Sequence, residues 1–149
     1  MKDLLTAIKS QLQTDLTYVR ASDVNITEDE RMLRDAMKSP AVGIKDGTIE
    51  YNIATQGADE SSELFVKIIA YVDLQKPEAA IMGDSSIGKK GVLDILTDVK
   101  TSLRDNLLSG QADEVWFVSE TESEFIGDEE AKIAIQMKIL TVRYVRYGS

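Results

Sequence analysis

The stretch ELFVKIIAYVDLQ, residues 63–75, limits the fold more than any other part of the chain. Leu64, Val66, Ile68, Ala70, Val72 and Leu74 fall on one parity without exception, so an extended backbone puts all six on one side of a sheet. A helix would scatter them around its axis. The other parity carries Phe65, Lys67, Ile69, Tyr71 and Asp73. That mixture predicts one face on a core and one face partly covered, with a neighbouring subunit as a source of cover.

Other strands are sought around this one. AVGIKDGTIEYNIATQ, 41–56, reads as a hairpin: Val42 and Ile44 alternate, Asp46-Gly47 is a turn signal, and Ile49, Tyr51 and Ile53 alternate again. GADESS, 57–62, reads as a polar loop, and 17–26 as a short strand or link. EVWFVSETESEF, 114–125, alternates after an apolar start, and IGD, 126–128, is turn-like. In 130–147, Ile133, Ile135, Met137 and Ile139 share one parity, whereas Val142 and Tyr144 take the other. A bulge or a strong bend near Leu140 is expected to cause the switch. A strand this long invites pairing across a subunit boundary.

Two helices stand out. In 1–16, Leu4, Leu5, Ile8, Leu12 and Leu16 form one stripe. In 92–108, Val92, Leu96, Val99, Leu103 and Leu107 do the same, widened by Ile95, with Gly110 as the expected cap. Residues 27–38 read as a loop or short helix, with Thr27 and Glu30 as a capping box and Met32, Leu33, Ala36 and Met37 as its stripe. The prediction is an α+β fold: a mainly antiparallel sheet, with an N-terminal helix and a second long helix packed on one face. One domain, 1–149, is expected from the length.

Composition narrows the chemistry. The chain contains no cysteine and no histidine, which removes disulfides, thiolate metal sites, the commonest general base and the commonest metal ligand. An enzyme is not expected. The net charge of −9, from 26 acids and 17 bases, opposes a grip on nucleic acid through phosphates. No apolar run is long enough for a membrane span, and the N-terminus lacks the apolar core of a signal peptide.

GDSSIGKK, 83–90, approaches a phosphate-binding loop. Gly83, Gly88 and Lys89 match the pattern, but Lys90 stands where a hydroxyl must hold magnesium. Asp84 would place a carboxylate beside the phosphates, and KPEAAIM separates the loop from the preceding strand. A contact loop is the expectation, made of Lys76, Pro77, Asp84, Ser85, Ser86, Ile87, Lys89 and Lys90. Its length suggests a connection that a neighbouring subunit puts in order.

Glu120, Glu122 and Glu124 alternate with Ser119, Thr121 and Ser123, so a strand here lines one face with carboxylates. Asp128, Glu129 and Glu130 extend the acidic run. The spacing is not that of a calcium loop, and no metal or other cofactor is expected.

The N-terminal helix, SPAVGIKDG at 39–47, the run from Glu63 to Leu108 and the closing strand pair together resemble the tail terminator and tail-completion proteins of long-tailed bacteriophages. The likeness covers nearly the whole chain and is most specific over 71–108; residues 27–38 fit it least. It implies a structural virion protein that forms a ring, usually a hexamer, at the head-proximal end of the tail tube. The ring stops tube polymerisation, meets head-completion or neck proteins, and passes DNA through its centre. It also implies assembly in the host cytoplasm, no catalysed reaction and no catalytic residues. On this reading Glu120, Glu122 and Glu124 face the DNA passage. The alternatives are a head-side connector or neck protein, or a small nucleotide-binding enzyme using 83–90.

Overall fold

The computed structural model describes residues 1–30, 40–53, 60–73, 76–128 and 133–148. These hold a six-stranded sheet of β1 (Val24–Ile26), β2 (Ala41–Ile53), β3 (Glu60–Asp73), β4 (Glu114–Glu120), β5 (Glu124–Asp128) and β6 (Ile133–Tyr147). The order is β1-β2-β3-β6-β4, with β5 paired to β6 beyond the end of β4. Only the β1–β2 pairing is parallel. The helices are α1 (Lys2–Asp15), α2 (Pro77–Met82) and α3 (Val92–Leu103). This is the α+β fold expected. Among the described residues, no helix is long and apolar enough to cross a membrane.

The even parity of β3 forms the floor of the main core. Leu64, Val66, Ile68, Ala70 and Val72 are buried with Leu4, Ile8 and Leu12 of α1 and with Val92, Leu96, Val99 and Leu103 of α3. Each buried aliphatic side chain of this kind contributes roughly 1.5–3 kcal/mol. A charge at Ile8, fully buried in the middle of the α1 stripe, would break the helix–sheet contact.

The odd parity of β3 is covered within the chain itself. Ile69 and Tyr71 are buried with Ala41, Ile135, Met137 and Ile139 in a second cluster. The Tyr71 hydroxyl donates to the Glu30 carbonyl at 2.6 Å, and Glu30 also pairs with Lys67. The cover expected from a neighbouring subunit is therefore supplied locally at these positions. Of the predicted helix over 27–38, residues 31–38 lie outside the described residues. Thr27 and Glu30 form no capping box; the Thr27 N–H donates to the Ile44 carbonyl at 2.9 Å.

Several sequence expectations need correction. Residues 41–53 are one strand, and Asp46-Gly47 is a bulge, with the β2–β3 register shifting between Asp46 and Ile49. A Cβ on Gly47 would come within 2.6 Å of the Phe65 carbonyl oxygen, so glycine fits where the strands approach closely. Residues 60–62, read as loop, belong to β3, whereas 57–59 and Leu74 lie outside the described residues. β6 has no bulge at Leu140: it pairs with β3 without interruption from Ser61↔Tyr147 to Asp73↔Ile135. Its parity switch is a change of buried face. Met137 and Ile139 lie in the second cluster, while Leu140, Val142 and Tyr144 lie in the main core. IGD belongs to β5 and is not a turn.

α3 ends at Leu103, short of 108. Asn106 takes over: its side-chain oxygen accepts from the Leu108 N–H at 2.9 Å and its amide donates to the Ser102 carbonyl. Leu107 is left 40% exposed and Leu108 is buried instead. Gly110, at φ +90°, serves the turn that follows and not the helix end.

Candidate functional site

Residues 76–91 form a built unit and not an open connection. Pro77 is the first residue of α2, where its fixed φ suits a helix and its missing N–H costs nothing. The helix ends at Gly83, whose φ is +78°. A 3-10 turn over Ser85–Ile87 follows. Asp84 caps it, its Oδ1 accepting from the Ser86 amide at 3.1 Å and the Ser86 hydroxyl at 2.6 Å. Those hydrogen bonds hold the Asp84 carboxyl below its ordinary range. Gly88 closes the turn in the left-handed region. Asp84 and Lys89 then exchange backbone bonds of 2.8 and 2.9 Å. Bonds within the segment define this shape.

The unit carries an apolar tip. Ile87 is 72% exposed and Met82 62%, with Leu93 also open to solvent at the start of α3. Lys90 sits over the Tyr18 ring at 5.4 Å, a cation–π contact, and the Tyr18 hydroxyl donates to Asp98 at 2.6 Å. Burial, and next the bond to Asp98, push the Tyr18 hydroxyl pKa well up. Lys89 and Lys76 lie close enough to Asp84 to favour its charged form.

The geometry is poor for a phosphate. The N-terminus of α3 is already served by its own acid: Asp94 Oδ2 accepts from the Gly91 N–H at 3.1 Å. A carboxylate thus stands where a phosphate would use the free amides of a helix start. Asp84, Asp94, Lys89 and Lys90 line a shallow depression of about 410 Å³, so its two lysines are offset by two carboxylates.

The three glutamates are not one face. β4 ends at Glu120 and β5 begins at Glu124, so Glu122 lies in the break between them. Glu120 pairs with Leu140, a main-core residue, and so points to the helix side. There it meets Lys100 of α3 at 2.9 Å. Glu124 pairs with Met137 and points to the opposite side. The cause is a bulge and a break. The register of β4 shifts between Phe117 and Ser119, leaving Val118 over. Thr121 then replaces a ladder link with its side chain: its N–H donates to the Ile139 carbonyl, and its hydroxyl oxygen accepts from the Ile139 N–H. Glu129 and Glu130 lie outside the described residues.

Apolar side chains on the edge formed by β4 and β5 form no part of the site expected from the sequence. Trp116 is 45% exposed, beneath the Arg143 guanidinium at 4.4 Å, and Val118 and Phe125 are also open. Arg143 in turn pairs with Glu63. The tryptophan in VWFV was the available signal. Neither family models nor curated proteins give a match to this chain.

Proposed function

We propose that the chain is a subunit of a ring, most simply a hexamer, at the head-proximal end of a phage tail tube. It stops tube growth, offers a docking surface to a head-completion or neck protein, and surrounds a passage for DNA without gripping it. Catalysis plays no part in this role, which belongs to the virion. The resemblance across the chain motivates the reading. The observation that carries it is Ile87, exposed on a turn that its own hydrogen bonds already shape, with Met82 exposed at the end of α2 just before it. A pre-formed apolar projection is suited to protein contact, because little ordering entropy is lost on docking. The net charge of −9 suits a conduit past which DNA slides. A wall of alternating glutamates forms no part of this proposal, since Glu120 and Glu124 point to opposite sides of the sheet.

The test has two readouts. Native mass should show a closed oligomer of the 16.5 kDa subunit. Added to polymerising tube protein from the same phage, the chain should cap tubes at one end and halt their growth. A monomer at every concentration, or unchanged tube growth, would sink the reading.

A further inference from the structure

The sheet has two open edges, and they match. β1 covers β2 only at Val42–Ile44, so among the described residues the part of β2 beyond the bulge is bonded on one side only. Among the described residues β4 likewise pairs only with β6. Both free stretches lie at one level of the sheet: Glu50 pairs with Glu63, Glu63 with Val145, and Val145 with Glu114. A long open edge is normally guarded by lysine or proline. Neither residue occurs in 46–53 or 114–120. The bulges at Gly47 and Val118 limit the regular stretches to 49–53 and 114–117.

Direction also fits. β2 runs opposite to β3, β3 opposite to β6, and β6 opposite to β4. The two edges are therefore antiparallel to each other. A copy rotated about an axis inclined to the strands brings its β2 beside β4 in the antiparallel sense, and the inclination offsets Glu50 from the level of Glu114 by two residues. Such a contact is head-to-tail, the kind that closes into a ring.

We infer that neighbouring copies join by pairing β2 of one with β4 of the next, in the register Tyr51↔Val115 and Ile49↔Phe117. This register puts four apolar residues together on the helix side of the joined sheet. It sets Glu50 against Trp116 and Asn52 against Glu114. A shift by two residues in one direction would put Glu50 opposite Glu114, and like charges directly opposite destabilise a pair. A shift the other way would run Glu50 into the Val118 bulge. Tyr51, 73% exposed in the lone subunit, would be covered. The inference rests on the ring reading above and names its interface.

Because the chain has no cysteine, introduced thiols are the only ones present. The double variants Tyr51→Cys/Val115→Cys and Ile49→Cys/Phe117→Cys should, on oxidation, give a ladder of covalent oligomers that ends at the ring size. The four single variants should give none. Asn52 is exposed, so its variants leave the subunit fold intact. Asn52→Lys, opposite Glu114, should strengthen assembly by about twofold to fivefold per interface, and Asn52→Glu should weaken it by a similar factor. A native ring with no ladder, and with equal assembly of the two Asn52 variants, would overturn the edge pairing and leave the ring standing. Dimers from single-cysteine variants would show two-fold pairing and overturn it as well. A monomeric native protein would remove both this interface and the ring.

Discussion

Gly83 and Gly88 look alike in the sequence, yet their replacement by alanine should have very different costs. Both have positive φ, +78° and +66°. Gly88, with ψ +23°, is in the left-handed region, where an alanine costs about 1–2 kcal/mol; Gly83, with ψ +173°, is in a region nearly reserved for glycine, where it costs about 1–3 kcal/mol. Around Gly88 nothing lies within 4 Å of the added carbon, so that term stands alone. At Gly83 the new Cβ would overlap Asp94 Oδ2 and lie 2.8 Å from the Lys89 carbonyl oxygen. The second neighbour is backbone in the Asp84–Lys89 bridge and has little freedom to move. Overpacking of this kind adds about 1–3 kcal/mol. Alanine also restricts the unfolded chain, which returns about 0.4–1 kcal/mol in both cases. Gly83→Ala should therefore cost about 2–4 kcal/mol and Gly88→Ala about 0.5–1 kcal/mol. In a domain of this size the two correspond to falls in Tm of very roughly 4–16 °C and 1–4 °C. Thermal melts followed by circular dichroism read the difference directly. Gly83→Ala/Asp94→Ala should recover only part of the loss, since the Lys89 carbonyl remains. Equal melting temperatures for the two single variants would refute the account of a turn packed against the start of α3.

Two buried tyrosines should answer in opposite ways. Tyr71→Phe removes a hydroxyl that donates to the Glu30 carbonyl and should cost about 1 kcal/mol in urea unfolding, whereas Tyr144→Phe removes a buried hydroxyl without a hydrogen-bond partner and should be neutral or stabilising by up to about 1 kcal/mol. Asp84, with its pKa lowered by Ser86, adds order to the turn above the ordinary carboxyl value, and that order is lost as pH falls through the lower folded value; faster exchange of the Ser86 amide at acid pH, corrected for intrinsic rates, would confirm this, and a flat profile would contradict it. Magnesium-ATP should leave the melting temperature unchanged in the native chain and in Lys89→Ala, and a shift in the former alone would restore the nucleotide reading.

The fold class was legible because its determinants are local and redundant. Leu64 to Val72 repeat one parity, and the α1 and α3 stripes each repeat a helical period, so no single residue decides the outcome. The errors came from one signal with several physical causes. A change of apolar parity marks a turn, a bulge, or a strand that passes from one buried face to the other. In β2 the change at Asp46-Gly47 was read as a turn and is a bulge, because β3 continues past it as partner. In β6 the change at Leu140 suggests a bulge or a bend and is a switch of faces, because apolar clusters lie on both sides of the sheet. Only the partner strand separates these cases, and its register is a long-range property that local spacing does not carry.

The candidate site was legible to the same limit. Lys90 in place of a hydroxyl was visible in the sequence, and the Asp94 bond to Gly91 reinforces its message against a phosphate. The glutamate pattern misled because alternation means one face only in an unbroken strand. One extra residue at Val118 reverses the parity of Ser119 and Glu120, and the break that begins where Thr121 bonds β6 with its own hydroxyl reverses it again before Glu124. Glu120 is thereby turned towards Lys100, while Glu124 leaves on the other side. The same bulge leaves 114–117 as a short regular edge, headed by one acid and centred on an exposed tryptophan. A feature that scatters the acidic face therefore also delimits the stretch on which a second copy has room to pair.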